Sequence, residues 1–107
     1  MSMFEDREKG FERKFQQEQE LAFKVKARRN KLIGLWAAER LGLAGAAAEH
    51  YAQEVMEADL QHPGPHDIVA KIAADFTQRG VPLDESRIRA QLDLCAAEAT
   101  KQIEGGR

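Results

Sequence analysis

A chain of 107 residues has room for one domain with one small core, which excludes a multi-domain enzyme. Its charges nearly balance, for a net charge of −2, so no global field attracts nucleic acid or an anionic membrane and any electrostatic partner must be met locally. The single cysteine, Cys95, can close no internal disulfide, no cysteine pair suggests structural zinc, and no apolar run approaches the roughly 20 residues that span a bilayer or resembles a secretory signal, so the expected setting is the reducing cytoplasm.

The leading segment, residues 1–17, reads as an arm. Phe4, Phe11 and Phe15 punctuate an otherwise mostly charged stretch, and at about 100° per residue they fall within roughly 40° of arc on a helix. Ser2 with Glu5 makes a capping box, and Glu5 and Asp6 suit the positive end of the helix dipole, whereas Gly10 opposes helix by about 1 kcal/mol. The arm is therefore predicted to be flexible and conditionally helical: frayed alone, continuous with the first helix when held. Two fates for the phenylalanine stripe stand side by side, folding back onto the chain's own helices or burial in a partner. Burying three rings contributes about 4 to 9 kcal/mol, while fixing each backbone costs about 1 to 2 kcal/mol. Coupled folding and binding therefore needs charge-assisted contacts from Asp6, Arg7, Glu8, Glu12, Arg13 and Lys14 as well.

Residues 18–107 read as four helices, at about 18–41, 46–60, 66–79 and 85–104. The first carries Leu21, Val25, Leu32 and Trp36 on one face, and from Leu32 its other side also turns apolar through Gly34, Ala37, Ala38 and Leu41, with Gly42 as its stop. The second is expected to bury Ala48, Tyr51, Ala52, Val55 and Met56 before the Pro63-Gly64-Pro65 break. Ile68, Val69, Ile72, Ala73 and Phe76 mark the third, which Gly80 and Pro82 end. The fourth starts at Asp84 as N-cap, with Leu83 and Ile88 as a hydrophobic staple, and carries Ile88, Leu92, Cys95, Ala99 and Ile103. Short connections favour antiparallel neighbours, so the predicted fold is all-α, an antiparallel four-helix bundle with the arm at its head.

The chemistry on offer is binding chemistry. No phosphate loop and no set of nucleophile, base and orienter is present, so no catalytic residue is assigned. Lys24, Lys26, Arg28, Arg29 and Lys31 form a basic run with no acid between Leu21 and Ala38; Lys24, Arg28 and Lys31 share one side of a helix, either as a phosphate contact or as a solvated face with pairs such as Glu20 to Lys24. Without aromatic residues interleaved as a stacking platform, the run does not predict nucleic-acid binding. His62 and His66 flank a proline-rich loop and not one face of a helix, so no metal site is expected there, and Cys95 and Trp36 read as core.

Taken together, Phe4-Glu-Asp-Arg-Glu-Lys-Gly-Phe-Glu-Arg-Lys-Phe15, then Glu20-Leu-Ala-Phe-Lys24, Ala27-Arg-Arg-Asn-Lys-Leu-Ile-Gly-Leu-Trp-Ala-Ala-Glu39 and Leu41-Gly-Leu43, resemble the zeta inhibitor subunit of α-proteobacterial F-type ATP synthases. The resemblance runs over nearly the whole chain and is most specific in its first 43 residues. It implies a four-helix bundle whose arm inserts at a catalytic interface of the soluble ATPase sector, folds there, blocks rotation and restrains ATP hydrolysis. Carried onto this chain, the inhibitory residues are Phe4, Asp6, Arg7, Glu8, Phe11, Glu12, Lys14 and Phe15. It also implies ADP or ATP as a regulatory ligand; no motif places that site, and Lys24, Arg28 and Lys31 are its electrostatic candidates. The expected setting is the cytoplasm, peripheral to the inner membrane through the ATP synthase and not inserted in the membrane itself, and the chain is expected as a monomer, with a weak dimer through a free phenylalanine stripe left open. The alternative is a helical adaptor or adenine-nucleotide sensor that takes a protein partner through its arm.

Overall fold

The computed structural model describes the backbone of residues 3–82 and 84–105 and the side chains of residues 13–82 and 84–105. Four helices follow in order, α1 (Met3–Arg40), α2 (Ala46–Gln61), α3 (Pro65–Gln78) and α4 (Glu85–Gly105), with no strand among the described residues. α1 packs on both α2 and α4, and α3 closes the ring by packing on the same two helices. Joined by short connections, these neighbours form the antiparallel four-helix bundle that the apolar periodicity predicts.

At the head of the chain, the helix expected from about residue 18 and the conditionally helical arm before it run on without a break from Met3, so arm and bundle share one 38-residue helix. At about 1.5 Å per residue this helix spans about 57 Å, and it accounts for the long dimension of a molecule measuring 65 × 25 × 22 Å. Nothing local interrupts it: Gly10 weakens a helix without breaking it, and no proline precedes Pro63. The capping box at Ser2 and Glu5 and the staple at Leu83 lie outside the described residues.

Local codes set the remaining ends. After α1 the chain turns with Gly42 at φ 80°; the Leu43 N–H donates to the Ala38 carbonyl at 2.9 Å and the Gly42 N–H to that of Glu39 at 3.1 Å. This is a Schellman closure, and Leu43 packs against the core as its apolar partner. α3 ends in the same way, with Gly80 at φ 71° and the Val81 N–H donating to the Phe76 carbonyl at 2.9 Å. Pro65 opens α3 in its first turn, where a missing N–H costs nothing. Asp84 caps α4 as predicted: its Oδ1 accepts from the N–H groups of Ser86 and Arg87 at 3.0 and 3.4 Å.

The core takes Ile33, Ala37, Ala38 and Leu41 from α1, Tyr51, Ala52 and Val55 from α2, all five expected residues of α3, and Ile88, Leu92, Cys95 and Ala99 from α4. Ile103 is only half-buried, as are Ala48 and Met56. On α1 the side expected to turn apolar from Leu32 onward is buried, through Gly34, Ala37, Ala38 and Leu41, and only the other expected face needs correction. Leu21, Val25, Leu32 and Trp36 are half-buried along one flank, Leu21 and Val25 beside Ala96 and Thr100 of α4, while the innermost line runs through Asn30, Ile33 and Ala37. Gly34 permits that line to sit close to α2: a Cβ there would lie 2.7 Å from the Ala52 Cα.

Candidate functional site

The arm and its junction with the bundle hold most of the predicted site. Phe4, Asp6, Arg7, Glu8, Phe11 and Glu12 have backbone in α1, and their side chains lie outside the described residues. Lys14 and Phe15 are exposed, Phe15 at 53%. Every described side chain from Arg13 to Glu20 is exposed, so this stretch makes no claim on the core. A phenyl ring held in water on a charged helix is unspent apolar area, available to a partner.

Just inside the bundle two more large apolar side chains face solvent, Phe23 at 63% and Leu60 at 68% exposure. Helical spacing alone did not single them out, because they belong to different helices and lie off the expected stripes. Both line a 90 Å³ cleft with Lys26, Ala27, Met56 and Asp59. A second, shallower cleft of 280 Å³ adjoins it, where Phe23, Ala27, Met56 and Ile103 meet Lys24, Arg28 and Lys31. The structure thus brings the three predicted cations together at one edge. None forms an ion pair among the described residues, so the expected Glu20 to Lys24 pair is not made.

Beneath this surface lies a polar cluster that the sequence reading missed. Asp59 is 3% exposed; its Oδ2 accepts from Asn30 Nδ2 at 2.9 Å and lies 3.3 Å from Lys26 Nζ, and its Oδ1 accepts from the Gly64 N–H at 3.3 Å. Arg29 Nε donates to Asn30 Oδ1 at 3.0 Å, extending the chain of bonds along α1. These contacts tie the middle of α1 to the end of α2 and the loop after it. Asp59 continues the 52-55-59 helical spacing, a signal that was present but carried on a charged residue.

A second polar cluster joins α2 to α3. The Tyr51 hydroxyl donates to Asp75 Oδ2 at 2.7 Å, and Lys71 Nζ reaches the same oxygen at 2.9 Å and Glu54 at 3.7 Å. Burial, reinforced by the bond to the Asp75 carboxylate, pushes the Tyr51 phenol well above its ordinary range. Burial likewise raises the Cys95 thiol, which keeps it in its less reactive form. Trp36 is half-buried, stacked at 6.2 Å on Phe76 with the Arg40 guanidinium 4.6 Å above its ring. His66 Nδ1 lies 3.3 Å from Arg89 Nη2, and no cluster of three metal-ligating side chains occurs among the described residues. No described helix is long and apolar enough to cross a membrane.

Chemically, then, this end of the molecule presents an aromatic, charged helix above an apolar, basic-edged shoulder. The model of a family described as ATPase inhibitor subunit zeta matches residues 1–102. A solved structure described as a solution NMR structure of a protein is similar at 39% identity and a TM-score of 0.69, over 79% of this chain and 96% of that one. A comparison with curated proteins finds no match.

Proposed function

We propose, since the chain belongs to the ATPase inhibitor subunit zeta family, that it restrains ATP hydrolysis by the F-type ATP synthase through its N-terminal arm. The arm enters a catalytic interface of the soluble sector and, held there as a helix, obstructs rotation. Phe4, Phe11 and Phe15 supply buried apolar area, and Asp6, Arg7, Glu8, Glu12 and Lys14 supply the charge-assisted bonds that offset the ordering of the segment. The observation that carries this reading is the exposure of every described side chain from Arg13 to Glu20 on a helix continuous with the bundle. A segment already in helical register with a rigid body can be delivered to a partner with its orientation largely set, which lowers the cost of binding. Adding the full chain to the cognate ATPase sector is expected to suppress hydrolysis, and a chain lacking residues 1–15 to leave hydrolysis nearly untouched. Equal suppression by the truncated chain removes the arm from the mechanism.

The grouping of Lys24, Arg28 and Lys31 at one cleft supports a second reading, ADP or ATP as a regulatory ligand held by its phosphates. Amide shifts along residues 24–31 on addition of ADP are its expected signature. A spectrum unchanged at saturating ADP rejects it.

A further inference from the structure

We propose that Asp59 is a positioning residue for the arm: through Asn30 it clamps α1 at the level where the helix leaves the bundle, and so sets the direction in which the phenylalanine stripe meets the ATPase sector. The proposal rests on the inhibitory reading of the arm and gives a task to a carboxylate outside it. Asn30 and Asp59 are both 3% exposed and are joined at 2.9 Å, and every described residue of α1 before Asn30 is exposed or half-buried.

The two seams of α1 differ at this level. Toward α4, Leu21 and Val25 carry the contact beyond Asn30, beside Ala96 and Thr100. Toward α2 the close packing of Gly34 on Ala52 gives way to the 90 Å³ cleft, with Phe23 and Ala27 on one wall and Met56 and Leu60 on the other. Asp59 bridges this opening. Its Oδ2 takes Asn30 Nδ2 and, one turn further along α1, Lys26 Nζ, while its Oδ1 accepts from the Gly64 N–H, which fixes the carboxylate itself. Arg29, which lines the α4 side, donates to Asn30 Oδ1 and so leaves the amide nitrogen turned toward α2. A helix held by apolar contact on one seam and by nothing on the other is free to tilt, and the clamp removes that freedom. Leverage makes so small a contact matter. With α1 pivoting about its buried end at Leu41, a shift of about 1 Å at Asn30 becomes about 3 Å at Phe4 when the arm is helical, in proportion to helix length. Close packing and hydrogen bonds at an interface do not survive a misplacement of that size.

Spin labels on Glu20→Cys and Gln53→Cys, both exposed positions, read the direction of α1 against α2 in a full chain carrying Cys95→Ala. The distance distribution is expected to broaden or shift on adding Asp59→Ala. It is expected to return when Asn30→Asp is paired with Asp59→Asn, which restores a carboxylate and an amide across the seam in exchanged places. At a temperature where every variant is folded, half-inhibition of the cognate ATPase sector is expected to need about tenfold more of the alanine variant, and the exchanged pair to recover most of that loss. Should Asp59→Ala not fold, Asn30→Ala, which leaves Asp59 its contacts with Lys26 and Gly64, takes its place in both measurements. An unchanged distance distribution overturns the clamp, and so does a broadened one with inhibition at the level of the parent. Removing residues 1–15 tests the arm alone: inhibition that survives the truncation sinks the arm's role, whereas the label distances report on the clamp in either case.

Discussion

Asp59 gathers a side-chain amide, an ammonium and a backbone N–H around one nearly buried carboxylate. Replacing it with alanine leaves Asn30 Nδ2 and the Gly64 N–H without their acceptor, and a buried donor left unsatisfied costs about 1 to 3 kcal/mol. Asp59→Ala is therefore expected to lower the free energy of unfolding in urea by at least that much, and Asp59→Asn by less, because an amide oxygen can still accept from Asn30. Little is assigned to the Lys26 contact, since that side chain is 41% exposed and solvent screens it. An alanine variant as stable as the parent would show the cluster to be incidental. Asn30 and Asp59 escaped the sequence reading for one reason: helical spacing placed them on inner faces, but residue type argued for water, and only the partner 29 positions away reconciles the two.

Between elements, the joint of α2 and α3 depends on a neutral phenol. Tyr51 donates its proton to Asp75, and burial opposes its ionisation, so its folded pKa lies above the unfolded value near 10. A raised pKa means the folded state holds the proton to higher pH; stability is fully present below about pH 10 and falls as pH rises past it, where only the unfolded chain releases the proton. Tyr51 is the chain's sole tyrosine, so phenolate absorbance reports it alone. Absorbance of the native protein is expected to show no phenolate at pH values where the urea-unfolded chain is half ionised, and Tyr51→Phe to flatten the alkaline loss of stability. Native titration near pH 10 would contradict the burial argument. α3 was legible throughout because Ile68, Val69, Ile72, Ala73 and Phe76 are all apolar and all buried, so type and period agree. α1 was legible in its second half, where Ala37, Ala38 and Leu41 are apolar and buried, and less so before it: the flank of Leu21, Val25, Leu32 and Trp36 is strongly apolar yet only half-buried, while the inner line begins at Asn30, whose type argued for water.

At the scale of the molecule, α1 outgrows the bundle that supports it. α2, α3 and α4 span 16, 14 and 21 residues against 38, and the first buried side chain along the described part of α1 is Asn30. Phe15 was readable as a candidate contact because it sits among charges in sequence; the shoulder of Phe23, Met56 and Leu60 was not, because helical period says nothing about which residues of two helices will meet. A helix end with no tertiary packing depends on local propensity alone, and a short isolated segment is marginal in water. Protection against amide exchange is therefore expected to rise along α1, from little at residues 13–17, all exposed, to the global unfolding limit around residues 33–38, where Ile33, Ala37 and Ala38 are buried. Binding to the ATPase sector is expected to protect residues 13–17 strongly while changing residues 33–38 little, because only the former gain a partner. Uniform protection along the free helix would mean that the arm is already as stable as the bundle, and insertion would then be the docking of a preformed rod, with no folding step coupled to it.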